Sequence, residues 1–196
     1  IVAATGFIHV PFFTNLAYSQ PEPVRIVEPG VSFEQVVEEQ FQSTLTERIQ
    51  AGGGVIENKS INVTVGEGSL TTTFRSALEE LNLSLVDSGG AQVTIHKDVG
   101  LKLFVPVANN QQDTALQIVL QAQSQEGILS LVLETVELGN VELPSAVVSS
   151  MINPILERYV NELNQAVASY ASIDLFTYEE GWVEIDGSFA VEFVEQ

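Results

Sequence analysis

From Val147 to Val167 an apolar side chain recurs at every fourth position, at Val147, Met151, Ile155, Tyr159, Leu163 and Val167. Val148, Ile152, Leu156 and Val160 widen the stripe. At 3.6 residues per turn this spacing predicts a helix with a broad apolar face, and a face that wide must be covered by other elements. Pro154 interrupts it. Proline has no amide hydrogen and its ring crowds the carbonyl four residues back, so a kink or break is predicted there, with Asn153 as a new N-cap.

The cover for this helix is read upstream, where the apolar period falls to two. Ile61 to Val65 is a short strand, Val93 and Ile95 alternate with polar neighbours, and Leu101, Leu103, Val105 and Val107 occupy every second position. So do Leu116, Ile118, Leu120 and Ala122. Each pattern predicts a strand with at least one apolar face. Ile128 to Leu133 is apolar on both faces and is predicted to be a central strand covered on both sides. Near the end, Val183, Ile185, Phe189, Val191 and Phe193 face one way while Glu184, Asp186, Ser188 and Glu192 face the other. Two further helices are predicted. One places Phe33, Val37, Phe41, Leu45 and Ile49 on a narrow stripe, opened by a Ser32/Gln35 capping box and ended by Gly52, Gly53 and Gly54. The other carries Leu70, Phe74, Ala77, Leu78 and Leu81 after the glycines at 66 and 68. Helices alongside runs of alternating strands predict an α+β fold. The apolar faces either fill one another in a plain core or enclose an apolar space.

Composition narrows the function. A hydrophobic fraction of 45% against 17% charged residues supplies enough apolar surface to offset the entropy of ordering. Twenty-six acidic residues against seven basic ones give a net charge of −19, and the basic ones are scattered. No cationic patch is available for phosphates, so nucleic acid is not an expected partner, and an anionic bilayer surface would repel the domain. There is no cysteine, which removes disulfides and thiolate chemistry together. The two histidines, His9 and His96, have no triad context, and no Gly-x-Ser-x-Gly, Walker or His-Glu-x-x-His motif occurs. Adjacent acids such as Glu38-Glu39, Glu79-Glu80 and Glu179-Glu180 point apart on a helix or strand and read as exposed charge. The expectation is a protein that is not an enzyme, with no metal and no cofactor.

The N-terminal run Ile1 to Val10, ahead of Pro11, reads as the last turns of a membrane-spanning helix. Phe12, Phe13 and Tyr18 then fall where interfacial aromatics anchor such a helix. A buried strand or the residue of a processed signal peptide are the alternatives. Residues 19–31, with Pro21, Pro23 and Pro29, read as an extended spacer, and residues 32–196 as a single domain.

Strand, turn and helix over Ile61 to Leu81 are followed by Ala91-Gln92-Val93-Thr94-Ile95 and Gly100-Leu101-Lys102-Leu103-Phe104. Gly127-Ile128-Leu129-Ser130-Leu131 then runs into Val136-Glu137-Leu138-Gly139-Asn140-Val141-Glu142-Leu143-Pro144 and the long helix. This order resembles the YpmS- and LmeA-type bacterial envelope proteins, which are similar to the tubular lipid-binding (TULIP) superfamily. The resemblance covers roughly Ile61 to Phe193, and its most specific piece is the Leu-Gly-x-x-x-Leu-Pro turn at Leu138 to Pro144. It implies a curved antiparallel sheet wrapped on a long helix, to which the Phe33–Ile49 amphipathic helix is an addition. It further implies a membrane-anchored, extracytoplasmic protein of the bacterial cell envelope, with a groove for a lipid or other apolar ligand. The lining it implies is Val147, Met151, Ile155 and Tyr159 on the helix, with Leu116, Ile118, Leu131 and Leu133 opposite. The second expectation, from a different class, is an accessory interaction subunit of a larger envelope membrane complex, with a filled core and the acidic Phe33–Ile49 helix docking on a protein partner.

Overall fold

Alternation organises the smaller sheet. Ile61, Val63 and Val65 are buried while Asn62 and Thr64 face solvent. In the computed structural model, which describes residues 18–50, 56–110, 112–168 and 170–191, these residues belong to β1 (Ile56–Gly66). β1 pairs antiparallel with β8 (Trp182–Val191), whose Val183, Ile185 and Phe189 point into the same core, and β8 pairs with β7 (Ser172–Glu179). The larger sheet has the order β2 (Gln92–His96), β3 (Gly100–Pro106), β4 (Ala115–Gln125), β5 (Ile128–Leu138) and β6 (Val141–Glu142), each strand antiparallel to its neighbour. Neither sheet closes on itself. The helices are α1 (Phe33–Gln50), α2 (Glu67–Leu81), a single turn α3 (Ser145–Val147) and α4 (Asn153–Ala168). The chain is thus a mixed α+β protein with antiparallel sheets. At the start of α1 the Ser32 hydroxyl accepts from the Gln35 amide at 3.3 Å.

The strand at Ile128–Leu133 is not covered on both faces as predicted. Its neighbour β6 is two residues long, and the outer face stays open, with Ile128 57% and Val132 38% exposed. Within the run the alternation is regular: Leu129, Leu131 and Leu133 face the core, and the apolar Ile128 and Val132 face out; the irregularity comes after it. Leu120 pairs with Leu133 but Val119 pairs with Thr135, so Glu134 is an extra residue. Such a bulge shifts the side-chain phase, and it turns both Leu133 and Val136 inward.

Pro154 also behaves differently from the prediction. The backbone stays helical from Ser145 to Ala168, and Val148–Ile152 widens into a π-helical segment in which the Asn153 amide donates to the Val148 carbonyl. Asn153 is itself in the right-handed helical region and is not an N-cap. Widening the turn before a proline moves the carbonyls its ring would strike, so the helix continues where a regular α-turn would break. α4 lies against α1, α2 and β5.

Strand β2 is an edge, and its outward backbone groups are taken by α2. The Arg75 Nε donates to the Ala91 carbonyl at 2.7 Å, the Thr71 hydroxyl bonds both the amide and the carbonyl of Val93, and a Glu67 carboxylate oxygen accepts from the Ile95 amide at 2.6 Å. Four residues of helix rise about 6 Å and two of strand about 6.6 Å, so the two periods stay in step over these three bonds. An edge covered in this way is not available to pair with another chain.

Residues 19–31, predicted as a spacer, lie extended along the domain. Val27 is buried and its amide donates to Gln92 Oε1, and the Gly30 amide donates to the Gly68 carbonyl. Gly68 sits so close that an added Cβ would lie 2.8 Å from the Glu28 carbonyl oxygen. The anchor of this strap is Arg25. Its guanidinium makes a two-pronged pair with Glu67, donates to Glu180 Oε1 at 2.6 Å and reaches the Ile95 carbonyl at 2.9 Å. The Arg25 hydrogen bond holds the Glu180 carboxyl below its ordinary value of 4.5. A depressed acid contributes stability above its unfolded pKa and loses it as pH falls through the folded value. Glu180→Gln is therefore expected to lower the melting temperature at pH 7 and to have no effect well below the carboxylate range, as thermal melts across pH will show.

Candidate functional site

Four of the side chains predicted to line a groove are packed in the core. Ile155 is 3% exposed, Tyr159 and Ile118 are fully buried, and Leu116 is 7% exposed, all in one core cluster. Tyr159 is wedged edge-on against Phe74 of α2, with ring centroids 5.1 Å apart, and its hydroxyl donates to the Leu70 carbonyl at 3.3 Å. Burial pushes its hydroxyl pKa up, so it stays neutral. Leu131 and Leu133 are partly buried against the same core. Val147 is half-buried on α3, and the Met151 side chain lies outside the described residues. The α1 stripe is used in the same way: Phe33 and Val37 are buried and Phe41 packs on Tyr170 and Phe189, so the outward face of α1 is acidic and polar.

An apolar notch occurs instead at the junction of the two sheets. Leu101, Ala122, Leu129 and Leu131 from the larger sheet meet Ile173, Phe176, Tyr178, Val183 and Ile185 from the smaller one, with Phe33, Leu70 and Leu163 from the helices. No polar atom contributes to its exposed wall, and it is partly open to solvent. Its free volume is about 20 Å³. That is room for a water-sized guest, which apolar walls do not favour. Of the predicted lining residues, Leu131 alone belongs to it.

The junction is closed by single bonds and not by a ladder. β4 outruns β3, whose pairing stops at Leu120, and β7 meets the end of β4 instead. The Tyr178 hydroxyl accepts from the Ala122 amide and donates to the Ala122 carbonyl, the Ser124 hydroxyl donates to the Ile173 carbonyl at 2.5 Å, and the Ile173 amide donates to the Gly127 carbonyl at 3.0 Å. Burial raises the Tyr178 pKa, with the Ala122 bond opposing it. Tyr178→Phe leaves both backbone groups of Ala122 without this partner and is expected to cost about 1–3 kcal/mol, read as a lower urea midpoint.

Outside the notch, His96 sits half-buried with Nδ1 3.3 Å from Glu180 Oε1 and Nε2 3.2 Å from the Thr94 hydroxyl. Among the described residues no three His, Asp or Glu side chains are placed to hold a metal ion. Of the aromatics predicted at a membrane interface, Phe12 and Phe13 lie outside the described residues. Tyr18 donates its hydroxyl to the Gln112 carbonyl at 3.0 Å, and burial raises its pKa. No described helix is long and apolar enough to cross a membrane.

Sequence reasoning missed Phe176, Tyr178 and Arg25. β7 carries a register irregularity between Ile173 and Leu175, so Ile173, Phe176 and Tyr178 share a face without sharing a parity. Arg25 had one signal, as the single basic residue of residues 19–31. No protein-family model matches this chain, and no curated protein matches it.

Proposed function

We propose that this is a membrane-tethered, extracytoplasmic binding module of the bacterial cell envelope, without catalytic activity, that takes an apolar chain such as a lipid tail into the seam between its sheets. The observation that supports it is the notch: a wholly apolar wall, partly open to solvent, at a junction held by a few bonds. In this reading the two sheets act as the ends of one curved sheet folded about α4, in the manner of the tubular lipid-binding proteins. At about 20 Å³ the seam must part to admit a guest. Burying ten methylenes returns about 8 kcal/mol, against roughly 1–3 kcal/mol for each hydrogen-bonding group unpaired. Titration with a fluorescent polyene fatty acid tests this. Saturable binding that Leu131→Trp abolishes without unfolding the domain is expected; no saturable signal, or unchanged binding by the variant, counts against it.

A second reading is favoured by the filled core: an accessory interaction subunit of a larger envelope complex. Mild detergent extraction of native membranes would then recover stoichiometric protein partners, whereas a lone monomer counts against it.

A further inference from the structure

The side of the larger sheet away from the core carries a cleft of about 230 Å³, roofed by Glu22, Pro23 and Val24 of the strap. Its floor is read from the register. Thr94, Lys102, Val119 and Thr135 form one row across β2 to β5, and Gln92, Phe104, Gln117 and Glu137 form the next. The roof is held in place from the adjacent residue, Arg25, by its pairs with Glu67 and Glu180.

Lys102 is the unusual member. Among the basic residues whose side chains are described, Arg25, Lys97 and Arg158 pair with carboxylates and Arg75 donates to a carbonyl. The Lys102 ammonium makes no ion pair and no hydrogen bond with a described residue, although it is half-buried in a chain of net charge −19. Glu137 stands two strands away and one row along, so cation and anion share the cleft without meeting, with Gln117 and Val119 on the strand between them. Phe104, Val119 and Val24 supply apolar surface beside them.

We propose that this cleft binds a small zwitterion of amino-acid type. The carboxylate pairs with Lys102, the ammonium with Glu137, and an apolar side chain lies against Phe104, Val119 and Val24. Glu22 and Glu137 disfavour a phosphate or polyanion, which would meet two carboxylates for one ammonium. The volume is below the roughly 300–1,000 Å³ of clefts that take drug-sized molecules, which fits a ligand of this size. A roof fixed in advance limits the ordering cost of binding.

The test is an amide-resolved NMR titration of the whole chain with leucine, phenylalanine and leucyl-glycine, and with 4-methylpentanoate, which lacks the ammonium. Saturable shifts confined to the amides of Lys102, Phe104, Gln117 and Val119 are expected with at least one zwitterion. Lys102→Met should raise its Kd and that of 4-methylpentanoate about tenfold or more, and Glu137→Gln should weaken the zwitterion alone by a similar factor. Both substitutions lie on the solvent side of the sheet, and unchanged spectra elsewhere establish that the variants fold. No saturable shift with any of the three zwitterions, or wild-type affinity in Lys102→Met, overturns the proposal.

Discussion

Replacing Tyr159 with alanine is expected to remove about 3–5 kcal/mol of stability, the range for deleting a large buried aromatic. Tyr159 has no exposed surface, packs edge-on against Phe74 and bonds the Leu70 carbonyl, so its loss opens a hole between α2, α4 and the sheet. A domain holds roughly 5–15 kcal/mol in all, and the variant should unfold at a far lower urea concentration. Tyr159→Phe separates ring from hydroxyl and should cost about 1 kcal/mol. A loss under about 1 kcal/mol for the alanine variant would mean that helix and sheet are not packed at this point.

Arg25→Leu is the second large effect, at roughly 1.5–3 kcal/mol, the range for hydrogen bonds to charged groups, in a part-buried pair. The Arg25 and Glu67 side chains are 33% and 12% exposed, so the carboxylate left behind is the more costly partner. Glu67 keeps its bond from the Ile95 amide, which limits the loss. The strap should also come loose, because the Arg25 contacts with α2, β2 and the β7–β8 turn disappear together. Limited proteolysis within residues 19–31 should then be faster than in the wild type, and equal cleavage rates would show that Val27 and Gly30 hold the strap without Arg25.

The elements were legible wherever one side-chain period governed a whole segment. β3 and the first half of β4 follow a strict alternation, and Ile61, Val63 and Val65 read correctly as one face of β1. Legibility failed where a bulge or a wide turn changed the phase. Glu134 put Leu133 and Val136 on one face; the β7 irregularity hid Phe176 and Tyr178; the π-helical segment absorbed Pro154, while Ile128 and Val132, apolar on an open face, mimicked a central strand. The surroundings of the helix were not legible for another reason. Periodicity tells which face of α4 is buried, but whether Tyr159 meets a guest or Phe74 depends on α2, far away in sequence. The matched bonds of Glu67, Thr71 and Arg75 to Ile95, Val93 and Ala91 are likewise long-range, and helix period alone does not reveal them.

Native mass spectrometry of the 196-residue chain, mixed with a phospholipid in mild detergent, tests the seam most directly. Binding of an apolar chain between the sheets predicts a species heavier than the bare protein by the mass of one lipid, and its loss in Leu131→Trp. The mass of the bare protein alone, in wild type and variant alike, would contradict it.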